Sequence, residues 1–124
     1  MLLVCIGTMS HPLNAQSPEP GKPKEFIYVP RLVPRLYDDK DSAKGDNAVP
    51  ERHFARFQEA SKSGELTLAG RTKEPGDKTF GIAIFQAKDE AAARKFMVED
   101  PAVASGLMTA ELHPFSVALE HQNP

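Results

Sequence analysis

Between Phe26 and Leu119 the hydrophobic repeat switches between the two-residue period of a strand and the longer period of a helix, in the order β-α-β-β-α-β. That order predicts a split βαβ arrangement, a four-stranded antiparallel sheet with both helices on one face. The other sheet face is then uncovered, so a second copy of the chain is expected to pack there in a two-fold homodimer.

The individual segments carry the signals of their elements. Phe26 to Leu36 is rich in β-formers but contains Pro30 and Pro34, which donate no ladder hydrogen bonds, so it reads as an irregular or edge-facing strand. Tyr37 to Val49 is charged and reads as a loop. Pro50 to Ser63 has helix chemistry, with Pro50 and Glu51 in the first turn and Gly64 as a stop. Phe54 and Phe57 share its apolar stripe, and His53 lies at the edge of it. Glu65 to Ala69 alternates as a strand, and Gly70, Arg71 and Gly76–Asp77 mark a hairpin connection. Thr79 to Ala87 is the clearest strand, with Phe80, Ile82 and Ile84 on one face. Asp89 caps a second helix whose stripe is Ala92, Ala93, Phe96 and Met97 and which Pro101 ends. Thr109 to Leu119 forms the last strand, with a bulge expected at Pro114.

At 124 residues the chain holds one domain, expected over residues 25–120, with a leader at 1–24 and a tail at 121–124. The net charge of −2 and the lack of a basic tract speak against a nucleic-acid partner. The leader opens with the apolar run MLLVCIGT and ends in the Pro-rich SPEPGKPK. It reads either as a short secretory signal peptide cleaved after Ala15 or as a disordered cytoplasmic leader, so export and cytoplasmic residence both stay open. A membrane span is not expected, because about 20 continuous apolar residues would be needed. The single cysteine, Cys5, allows no intramolecular disulfide and no multi-thiolate site.

Two segments resemble the YCII-related (YciI-like) family. The first is HFARFQEASKSGELTLAGR, His53 to Arg71, a helix-borne His followed by Gly-x-Leu-x-x-Ala-Gly. The second is EAAARKFMVEDPAVASGLMTAELHPF, Glu90 to Phe115, with Asp-Pro-x-x-x-x-Gly between the second helix and a strand ending in Pro-Phe. The resemblance implies a ferredoxin-like α+β fold of the dimeric α+β barrel superfamily, which also includes muconolactone isomerases and antibiotic-synthesis monooxygenases. It also implies a pocket in which a His and an Asp meet, here His53 and Asp100. The sequence departs from the family in carrying Arg71 where Pro often follows the Ala-Gly, and in its longer, charged first loop.

An imidazole gains and loses a proton near neutral pH, and a carboxylate on its second ring nitrogen fixes the tautomer and raises its basicity. His53 and Asp100 are far apart in the chain, so only the fold joins them. The plainer alternative is that Asp100 caps the turn before Pro101 with His53 as a structural partner. Arg31 and Arg35, four apart, would share one side of a regular strand, and with Arg71 they are candidates for binding an anionic substrate. His113 reads as a surface residue, and His11 and His121 lie in the tails. No metal-ligand spacing, phosphate loop or nucleophile elbow occurs, so no cofactor or metal is expected. Two functions follow as expectations. One is a cofactor-independent lyase or isomerase acting on a small organic acid or lactone. The other is a non-catalytic module that binds a small ligand.

Overall fold

The computed structural model describes residues 23–37 and 48–121. Residues 1–22 of the expected leader, with Cys5 and the cleavage point, the loop from 38 to 47 and the last three residues of the tail lie outside the described residues, and Lys24 already belongs to the first strand.

Four strands, β1 (Lys24–Leu32), β2 (Leu66–Arg71), β3 (Gly81–Ala87) and β4 (Met108–Phe115), form one antiparallel sheet in the order β2-β3-β1-β4. Helix α1 (Ala48–Ser63) connects β1 to β2, while α2 (Glu90–Val98) and the short α3 (Pro101–Ala104) connect β3 to β4. This is the ferredoxin-like split βαβ topology. No helix among the described residues is long and apolar enough to cross a membrane.

The helix boundaries follow from local chemistry. α1 begins two residues before Pro50, which still falls in the first turn, where a missing N–H costs nothing. Gly64 at φ +85° takes the left-handed turn that ends it. Asp89 accepts the Ala92 amide at 2.8 Å and caps α2, a bond worth about 1 kcal/mol. Pro101 does not simply end the helical run. It opens α3, for which Asp100 is the N-cap.

Two strand expectations need correction. β1 is a central strand between β3 and β4, not an edge one. Its prolines are tolerated because the ladder with β3 stops at Tyr28↔Ala83, ahead of Pro30, and Pro34 lies beyond the strand in a 3-10 turn. β4 is an edge strand, so Pro114 needs no bulge, and the register runs unbroken from Leu32↔Met108 to Glu25↔Phe115.

Both helices cover the same sheet face. The core there joins Phe26 and Tyr28 of β1, Leu66 of β2, Ala83 and Phe85 of β3, Phe57 and Ala60 of α1, and Ala93 and Met97 of α2. Phe85 is completely buried, and removing such a side chain from water stabilises the fold by about 1.5–3 kcal/mol. Ile82 and Ile84 alternate with Ala83 and Phe85 and so face away from the helices, where they are half-buried.

Candidate active site

His53 sits in the second turn of α1, on the edge of the buried stripe marked by Phe57 and Ala60. The Phe57 ring, one turn further on, meets the imidazole edge-on at a centroid distance of 4.7 Å and limits its rotation. Asp100 reaches the same place from the other side of the helical layer. The chain leaves α2 at Glu99, turns at Asp100, and re-enters helix at Pro101. That turn points the Asp100 carboxylate inward, where it is 1% exposed.

The carboxylate is held from three directions. Oδ1 accepts the Ala102 amide at 2.9 Å, and Oδ2 accepts the Tyr28 hydroxyl at 2.6 Å. His53 Nδ1 lies 2.7 Å from Oδ1 and 2.9 Å from Oδ2. Burial pushes the Asp100 carboxyl up, but the hydrogen bonds from His53, Tyr28 and Ala102 outweigh it and hold the group below the usual carboxylate range. An ionised carboxylate only accepts, so Nδ1 carries the proton and donates. In the neutral ring Nε2 is then the basic nitrogen.

His53 keeps 17% of its side-chain surface exposed, and that surface borders a cavity of about 380 Å³. α1 contributes Pro50, Phe54 and Phe57 to its walls, and Pro30, Leu32 and Met108 close it from β1 and β4. β2 and β3 add the small residues Ala69, Gly70 and Gly81 beside Arg71 and Ile82. Glycine fits best at position 81, since a Cβ would come within 3.1 Å of Pro30 Cγ and 3.2 Å of the Gly70 carbonyl oxygen. Phe54, expected in the buried stripe, is 63% exposed because it stands over this opening.

Of the three arginines, only Arg71 lines the cavity with His53. Arg31 points away from the helices and stacks over Phe80 at 5.0 Å. Arg35 does not continue the strand to share its side, because β1 ends at Leu32 and Arg35 is an exposed residue of the 3-10 turn Pro34–Leu36. His113 is an exposed residue of β4 beside Glu111, at 3.6 Å. Among the described residues no three His, Cys, Asp or Glu side chains gather as a metal site.

The YCII-related domain matches residues 32–116, more than half of the chain. The protein belongs to the YCII-related family. The YCII-related region contains His53, Arg71 and Asp100 but begins four residues after Tyr28. No curated protein matches the chain. Tyr28 is the member of the cluster that the sequence reading missed. Its signal was available: period two puts it with Phe26 and Pro30 on one face of a strand, and a buried phenol usually finds a polar partner.

Proposed function

We propose that this YCII-related protein is a cofactor-independent lyase or isomerase that moves a proton on a small organic acid or lactone. The single observation carrying this reading is an imidazole whose Nδ1 is bound to a buried carboxylate while its ring borders a cavity of about 380 Å³. His53 Nε2 takes a proton from carbon next to a carbonyl, and Asp100 stabilises the imidazolium that forms. The proton then returns to another carbon in an isomerisation, or the electron pair expels a leaving group in an elimination. Arg71 pairs with an anionic group of the substrate, and the apolar walls of Leu32, Phe54, Phe57 and Met108 accept its hydrocarbon part.

The working particle is a homodimer in this reading. Support comes from the sheet face turned away from the helices, where Ile27, Val29, Ile82 and Ile84 are only half-buried and Leu68 is 48% exposed.

Binding and proton transfer are tested separately. Phenylacetate and lactone carboxylates raise the melting temperature of the wild type, and the Arg71→Ala variant loses that rise, as mass action requires of a bound ligand. In D2O the wild type exchanges the acidic C–H of a bound carbon acid, read by proton NMR, and His53→Ala binds without exchanging. Binding with no exchange by the wild type across the panel would turn the site into a ligand-binding module.

A further inference from the structure

The His–Asp contact is held in place by a third group. We infer that Tyr28 is a positioning residue of the site, a fixed hydroxyl that sets the angle of the Asp100 carboxylate and through it the tautomer and aim of His53. The kinetic part of this inference rests on the proton-transfer reading above, but the geometric part does not.

A carboxylate on a short side chain turns easily, because the torsion that swings its two oxygens is broad and soft. The Ala102 amide binds only Oδ1, so by itself it does not fix that rotation. The hydroxyl of Tyr28 holds Oδ2, and the two donors together define the carboxylate plane. His53 Nδ1 is within hydrogen-bond reach of both oxygens, so the plane decides how the imidazole sits.

Tyr28 is built to supply a donor from one place. It is fully buried, with its ring against those of Phe57 at 6.1 Å, Phe85 at 5.7 Å and Phe96 at 6.1 Å. Burial, then the bond to Asp100 and its charge, push the phenol far above the usual tyrosine range, which favours its protonated, donating form. The charged and titratable groups that face it are Asp100 from the α2–α3 junction and Arg56 from α1, with His53 of α1 beyond the carboxylate. Arg56 stacks over Phe96 at 4.2 Å, and its positive charge opposes the rise of the phenol without cancelling it. Tyr28 does not line the cavity, which separates a positioning role from substrate contact.

The test uses the full chain with labelled histidine and aspartate. In the wild type the nitrogen NMR spectrum of His53 shows one tautomer, with Nδ1 protonated and Nε2 bare. A slowly exchanging, downfield hydroxyl proton from Tyr28 is present and disappears in Asp100→Asn. Tyr28→Phe keeps the ring and deletes one oxygen. In it the His53 signals move to a mixture of tautomers, and the Asp100 carboxyl titrates at higher pH than in the wild type. Where turnover is measurable, kcat for C–H exchange falls about tenfold with KM nearly unchanged, the size expected for one hydrogen bond to a charged group. An unchanged tautomer and an unchanged Asp100 titration in a folded Tyr28→Phe overturn the inference. Should that variant fail to fold, absence of the hydroxyl proton from the wild-type spectrum overturns it alone. A wild type that exchanges no substrate C–H defeats the proposed reaction but leaves both NMR outcomes decisive for Tyr28.

Discussion

Asp100 serves three partners with one side chain, the first turn of α3, the imidazole of His53 and the hydroxyl of Tyr28. Its carboxyl is depressed in the folded state, so the unfolded chain binds a proton there more readily than the folded one does. The stabilisation is therefore complete above the unfolded value, about 3.9, and fades as pH falls through the lower folded value. Urea titrations between neutral and strongly acidic pH should show this loss, and Asp100→Asn should make the acid limb shallower. Tyr28 works in the opposite direction. Its raised phenol contributes fully below about 10 and loses that contribution as pH climbs further, so Tyr28→Phe should flatten the alkaline limb. His53 and Asp100 were legible in the sequence because each sits in a recognisable motif. Tyr28 was not, because its hydroxyl acquires meaning only once the helices choose which side of β1 to cover.

Elements follow the same logic. The cavity is walled on the sheet side by Pro30 and Leu32 of β1, Ala69, Gly70 and Arg71 of β2, and Gly81 and Ile82 of β3. Gly81 and Gly70 separate packing from mere presence. An added methyl at Gly81 meets Pro30 and a backbone oxygen, and Gly81→Ala should lower stability by about 1–3 kcal/mol through overpacking. At Gly70 nothing lies within 4 Å, so Gly70→Ala should stay within about 0.5 kcal/mol of the wild type. Denaturant midpoints for the pair check both. The order of elements was legible from periodicity, as were the caps at Asp89 and Gly64. The place of β1 was not. Two prolines argue for an edge strand when read locally, but only the register shows that the ladder to β3 ends before Pro30. The same limit explains why Arg31 and Arg35 seemed to share a side, since nothing local announced that β1 would end at Leu32.

For the whole molecule, the two surfaces of the sheet differ in what they carry. The helix-covered side holds the polar cluster, and the outward side offers Ile27, Val29, Ile82 and Ile84. If copies pair through that outward side, light scattering should give twice the 13.6 kDa chain mass. Ile84→Glu should halve it by placing a charge in the centre of the contact.

β1 contributes to both surfaces in strict alternation, Phe26, Tyr28 and Pro30 inward and Ile27, Val29 and Arg31 outward. Adding or deleting one residue within that strand would trade the two sets, sending isoleucine and valine in against Asp100 and the phenol out into water. Insertions should thus be far less tolerated in these few positions than their modest length suggests, because a single slip would spoil two unrelated surfaces at once.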